Sequence, residues 1–146
     1  MWNEINNDIE MLQFMDDMYS FHDSCIKEIR YISGAYVDSQ LFMHPVNDQR
    51  VLRVAIQRQF DENRMIELEF RGLKLLQLCP TDEKYTCEIS DATLFIKDAY
   101  IYWCDTGGLS MEDIEGYKGT LICASKLRWR SIEGSLEDET FYKSVL

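Results

Sequence analysis

The strongest constraint on this chain is a pair of alternating stretches near its middle. In the first, Leu52, Val54, Ile56 and Phe60 alternate with Arg53, Ala55, Gln57 and Gln59. In the second, Ile66, Leu68 and Phe70 alternate with Glu67, Glu69 and Arg71. A period of two marks a half-buried strand, because successive side chains leave opposite faces. Asp61-Glu62-Asn63-Arg64 supplies the turn between them. For both apolar sets to share a face, paired positions must sum to an even number, which restricts the loop to three or five residues. Gly72 then allows a bend or bulge before Leu73–Leu78.

The rest of the chain is arranged around this pair. Trp2, Ile5, Ile9, Leu12, Met15 and Tyr19 recur at three- and four-residue steps, and Met11, Phe14 and Met18 widen the apolar face. That spacing predicts an amphipathic helix over about 3–19, capped by Asn3. Ser33-Gly34 is a turn signal, and it predicts a hairpin of about 24–32 and 35–43, ended by His44-Pro45. Ala92, Leu94 and Ile96 alternate, Lys97-Asp98 reads as a tight turn, and Tyr100–Cys104 is aromatic and β-favouring. Leu121, Cys123, Leu127 and Trp129 mark a last strand, with Lys126, Arg128 and Arg130 on its other face. The expected fold is a single α+β domain over 1–146, mostly antiparallel β. Its N-terminal helix packs on a meander sheet of seven to eight strands, over about 22–130, forming an open barrel or a two-layer sandwich. An acidic tail follows over 131–146. Ile56, Phe60, Leu68, Phe70, Trp103 and Trp129 are the expected core.

Charge narrows the partners. Of the net −11, the first twenty residues contribute five acids and no base, and the last sixteen contribute four acids against Lys143. Nucleic acid is disfavoured, because phosphate contacts need a basic footprint. A basic partner, or plain solubility, suits an acidic chain better. No apolar run approaches the length of a membrane span, and the first residues carry no basic, apolar leader pattern, so a cytoplasmic location is expected. The five cysteines Cys25, Cys79, Cys87, Cys104 and Cys123 are odd in number and lack C-x-x-C spacing, which fits reduced thiols rather than disulfides or a zinc site.

Catalytic fingerprints are absent: no Gly-rich phosphate loop, no nucleophile elbow and no zinc-protease motif. His22, Asp23 and Cys25, with His44 or Asp105, form the best available constellation for a hydrolase or thiol enzyme. Adjacent strand residues point to opposite faces, however, so His22 and Asp23 are expected to pack a structural corner. Lys126, Arg128 and Arg130, with Arg53 near them, are open to two readings: cross-strand pairing with Glu67 and Glu69, or a face for an acidic partner.

Three pieces of the chain carry a resemblance. They are Phe21-His22-Asp23-Ser24-Cys25-Ile26, Phe70-Arg71-Gly72 and Lys126-Leu127-Arg128-Trp129. In these the chain resembles small bacterial all-β immunity proteins of polymorphic-toxin systems, the group numbered fifty. The resemblance implies no catalytic residues; no cofactor is expected. It implies a non-catalytic protein-binding domain, an immunity-like inhibitor of a basic toxin. Tyr100 and Tyr102 are the expected aromatic anchors of the partner face, and Glu112, Asp113 and Glu115 the expected rim charges. The alternative is a structural or self-associating β module, a homodimer without a toxin partner.

Overall fold

The computed structural model describes residues 1–132 and 138–143. β1 (Asn3–Ile5) leads into α1 (Asp8–Asp17), and a turn at Tyr19–Phe21 delivers the chain to β2 (Ser24–Ile32). A small hairpin, β3 (Tyr36–Val37) and β4 (Met43–His44), precedes the long pair β5 (Val51–Arg58) and β6 (Met65–Gln77). β7 (Thr93–Lys97), β8 (Tyr100–Cys104), the single-turn helix α2 (Met111–Ile114) and β9 (Leu121–Ser131) follow. Seven strands make one antiparallel sheet in the order β2-β5-β6-β9-β8-β7. β1 is the seventh; it pairs with the C-terminal half of β9, on the side where β8 pairs with the N-terminal half.

The central hairpin follows its alternation. Leu52 pairs with Phe70 and Ile56 with Ile66, the even-sum register that puts both apolar sets on one face. Arg58 N–H donates to the Arg64 carbonyl at 2.7 Å, which extends the ladder and leaves residues 59–63 as a five-residue loop. The β7–β8 turn is also tight. Lys97 pairs with Tyr100, and Asp98 and Ala99 both have positive φ, as a right-twisting two-residue hairpin requires.

Four expectations need correction. The helix does not run over 3–19. Residues 3–5 instead take up the free edge of β9, and Asn7, not Asn3, caps α1 by accepting from Glu10 N–H at 2.9 Å. The buried helix face is Met11, Phe14 and Met18, while Ile9 and Leu12 face solvent; two stripes satisfy the same spacing, and the strand before the helix sets which turns inward. The hairpin of 24–32 with 35–43 does not form. β2 pairs with β5, and the chain between them leaves the sheet at Gly34, whose φ of +98° no side-chain-bearing residue adopts readily. The sheet is not a simple meander, because β9 inserts between β6 and β8. Its strands form one main sheet that is not closed into a barrel, with β2 and β7 at the two ends of the strand order. A single bridge, Ser24 to Ile89, joins the β2 edge to the segment entering β7.

The main core lies between the sheet and α1. Leu52, Val54, Ile56, Ile66, Leu68 and Phe70 form its floor, and Met11, Phe14, Met18 and Phe21 cover them. Phe21 stands edge-on to both Phe14 and Trp103, at centroid distances of 5.6 and 5.8 Å. Full burial of side chains of this size contributes about 1.5–3 kcal/mol each, the main favourable term in the fold. Of the residues expected in the core, Trp129 is half-buried at its margin, and Phe60 is half-buried outside it, stacked on Tyr19. Leu121 and Cys123 lie on the other face, contrary to expectation, with Tyr102 and Cys104 under Met111, Ile114 and Tyr117. Ile122 and Ala124 take their place in the main core. The switch occurs where Gly72, at φ +62°, faces Ser125, next to a register shift between Leu73 and Leu75.

Candidate functional site

The face of the sheet opposite α1 carries a charged lattice. Glu67 and Glu69 are 0% and 1% exposed, although neither lies in the apolar core. Register places their partners: Glu67 opposite Arg130, and Glu69 opposite Arg128 on one side and Arg53 on the other. Glu69 accepts from Arg128 Nε at 2.8 Å, Arg71 Nε at 2.6 Å and Arg53 Nε at 3.0 Å. Glu67 accepts from Arg130 Nε at 2.9 Å and from the Tyr142 hydroxyl at 2.7 Å. The Trp2 ring lies against the guanidinium groups of Arg128 and Arg130, 4.3 and 4.4 Å away. Burial pushes the Glu69 carboxyl up, but the hydrogen bonds and charges of Arg128 and Arg71 outweigh it and hold the group below its ordinary value. Burial, with Glu67 beside it, pushes the Tyr142 phenol strongly up. Arg128 and Arg130 of the basic stripe are therefore engaged by cross-strand pairing, while Lys126 at its end is exposed. The tail segment at 141–142 lies over it, with Glu28 accepting the backbone N–H groups of Phe141 and Tyr142. The rest of the expected tail, 133–137 and 144–146, falls outside the described residues.

The His22–Asp23 corner is built from left-handed backbone. Tyr19, Ser20, Phe21 and Asp23 all have φ between 51° and 62°. Because Asp23 is not in strand conformation, its side chain turns to the same side as His22, contrary to the expectation for adjacent strand residues. The two groups stand 3.5 Å apart, long for a hydrogen bond. His22 Nδ1 lies 2.6 Å from the Ser90 carbonyl, which makes that nitrogen the donor. Asp23 N–H donates to Ile89 O, and Gln59 N–H donates to Asp23 O, so the corner ties three chain segments together. Asp23, Cys25 and Cys87 border a cavity of about 660 Å³. Burial pushes the Cys25 thiol up, and Cys87 adds to the effect, the opposite of what an activated nucleophile needs. His44 is far along the chain from this corner, in β4, where it contacts Asp38 at 3.0 Å and stacks on Tyr36. Asp105 accepts instead from the Tyr117 hydroxyl and Thr120 N–H. Among the described residues, no group of three or more His, Cys, Asp or Glu side chains is placed to hold a metal ion.

A second cleft, of about 610 Å³, opens where α1 ends against the β5–β6 loop. Asp16 and Asp17 come from the helix, Asp61 and Glu62 from the loop, and all four are exposed. Tyr19 and Phe60 stack at 4.9 Å to form an aromatic wall. Arg58 assembles this junction. It is 5% exposed and donates to the carbonyls of Met18 at 3.2 Å, Glu62 at 3.2 Å and Asn63 at 3.1 Å. Its guanidinium also lies 4.8 Å from the Phe60 ring, and among the described residues its Nε is buried without a partner. A cation at the end of α1 is favoured by the carbonyls exposed there. Carboxylates thus ring a cleft whose one buried cation is already turned to backbone oxygens.

The expected partner residues are divided between burial and exposure. Tyr102 is 9% exposed, packed in the small second core and stacked on Phe95 at 5.0 Å. Tyr100 is half-buried, with the Lys74 ammonium 4.2 Å from its ring. Glu112, Asp113 and Glu115 are exposed at and just after α2. Asp113 closes a capping box with Ser110, and those bonds hold its carboxyl below the ordinary value. The cleft residues Asp16, Asp17, Asp61 and Glu62 carry no local pattern that unites them; the acid count of the first twenty residues is the one signal that points there. Among the described residues no helix is long and apolar enough to cross a membrane. Compared with protein-family models, curated proteins and solved structures, the chain matches none.

Proposed function

We propose that this chain is a non-catalytic protein-binding domain that recognises a basic protein, as an immunity-like inhibitor of a toxin encoded beside it. The observation that carries the reading is the cleft between α1 and the β5–β6 loop. Four exposed carboxylates ring it, and its aromatic wall suits a lysine or arginine side chain. The net charge of −11 would steer a cationic partner toward it, an effect that salt weakens. Glu112 and Asp113 on α2, and Glu115 just after it, add to the same field. Thiols held in the neutral form, and a histidine engaged with a backbone carbonyl, support a binding role over a catalytic one. Free cysteines suit a reducing, cytoplasmic compartment.

The test begins with the reading frames adjacent to this gene, one of which should encode a basic protein. The purified product should bind at low salt, with an association rate that falls steeply between about 50 and 500 mM salt. Asp16→Asn with Asp17→Asn should slow association several-fold and leave the melting temperature in place. A basic neighbour that fails to bind at low salt, or the absence of any such neighbour, refutes the inhibitor reading in favour of a self-associating module.

A further inference from the structure

The segment between β2 and β5 is unlike the rest of the molecule. Every residue from 39 to 50 is exposed, and among the described residues β3 and β4 pair only with each other. Yet this arm is rich in large apolar groups. Tyr36, Val37, Leu41, Phe42, Met43 and Val46 are 54–84% exposed. Neighbours Tyr36 and Val37 leave opposite faces of their strand, and both are exposed, so neither face of the arm packs on the body. A two-stranded hairpin with no core beneath it gains little from its own apolar side chains.

Polar groups hold the arm in shape instead. The Asp38 carboxylate accepts from Gln40 N–H at 2.9 Å and Phe42 N–H at 3.0 Å, and Asp38 N–H donates to Phe42 O at 2.9 Å. His44 contacts the same carboxylate, and its ring stacks on Tyr36 at 4.4 Å. At the root, Gln49 N–H and Arg50 N–H both donate to Ser33 O. Leu41, the most exposed of the apolar six, has a φ of +68°, where a β-carbon is strained and glycine or asparagine is usual. Strained backbone beneath an exposed apolar side chain is a pattern of functional positions.

Resting on the proposed function, we infer that this arm, residues 35–46, is the apolar anchor of the complex, inserted into a cleft of the basic partner. Two exposed faces call for a cleft that grips both; a flat surface would leave one face wet. These six residues, each more than half exposed, offer apolar area comparable to the ~800 Å² that one partner contributes to a standard interface. A preorganised arm also lowers the ordering cost of binding. Charge selects the occupant: two copies of this chain, each at −11, repel one another, whereas a basic cleft is drawn to the acidic body.

The experiment uses the full chain and the basic product of the adjacent frame as probe. Leu41→Ser with Phe42→Ser should weaken binding at least tenfold, mainly through faster dissociation, with the salt dependence of association and the thermal melt unchanged. Asp16→Asn with Asp17→Asn should do the reverse, slowing association. Should the wild type bind and the arm variant bind equally well, the anchor is refuted while the binding function stands. If the wild type fails to bind the probe, both readings fall. A wild-type chain that sediments as a dimer, and becomes monomeric in the arm variant, overturns the proposed occupant in favour of a second copy.

Discussion

Replacing Glu69 by glutamine keeps the side chain's shape and removes the charge on which three guanidinium groups converge. The three contacts are unequal. Arg128 is 17% exposed, so its 2.8 Å bond is the least screened and should contribute about 2–3 kcal/mol. Arg53, 32% exposed at 3.0 Å, should add about 1 kcal/mol. Arg71, 48% exposed, should add under ~1 kcal/mol despite its 2.6 Å separation, because water screens it. The expected loss is about 3–5 kcal/mol, the range for breaking a buried ion pair and leaving the remaining charges uncompensated. Set against a total stability of about 5–15 kcal/mol for a domain, that is a large fraction. Urea unfolding at neutral pH, followed by far-UV circular dichroism, should show a lower midpoint with an unchanged slope. A cycle with Arg128→Met should return a coupling above ~1.5 kcal/mol, and one with Arg71→Met much less. A Glu69→Gln loss below about 1 kcal/mol, or a larger coupling to Arg71 than to Arg128, would refute the assignment of the energy to the buried contact.

The same carboxylate predicts acid sensitivity. Its folded-state pKa is depressed, so the stability it contributes is complete above the ordinary value of 4.5 and is lost as pH falls through the folded value; urea midpoints at stepped pH should decline in that window, less so in Glu69→Gln. Arg58→Met should cost about 3 kcal/mol in the urea assay by stranding the Met18, Glu62 and Asn63 carbonyls, and Arg58→Lys should recover only part of it. Gly72→Ala should destabilise by more than Gly108→Ala, because both have positive φ but only at Gly72 would a β-carbon meet Ser125 Oγ, at 2.8 Å; equal losses in thermal melts would show that backbone strain alone matters. Alkylation timed by mass spectrometry should label exposed Cys87 first and Cys104 last, since Cys104 is buried and its thiol is pushed up to about 12.

The sequence revealed most where both faces of a strand have distinct chemistry. Leu52–Gln59 and Ile66–Arg71 each present one apolar and one polar set, so parity decides their register, and Leu52 does pair with Phe70. At 121–124 both faces are apolar, and alternation cannot tell which pair enters the main core; the bend at Gly72 reverses the assignment. Ile26, Ile29 and Ile32 are spaced by three, which fits no strand face cleanly, and a register shift between Ile26 and Glu28 absorbs the mismatch when β2 meets β5. The turn signal at Ser33-Gly34 was real, but it begins the excursion of an arm instead of a sheet hairpin. The acidic cleft was hidden for a different reason. Its two halves are distant in sequence and are joined by Arg58, which bonds to carbonyls on both, and by the Tyr19–Phe60 stack.

The position of β9 has a temporal consequence. This late strand is the joint between β6 on one side and β8 and β1 on the other. A chain emerging from the ribosome can form the β2-β5-β6 half and the β7–β8 hairpin early, but it cannot unite them until residues 121–131 are free. During that interval the outer edge of β6, thirteen residues long, offers unpaired N–H and C=O groups to any strand nearby. Assembly that waits on such distant partners is slow. Nascent chains cut just before Leu121 should therefore associate through β6, and a β9 peptide supplied in trans should suppress that association.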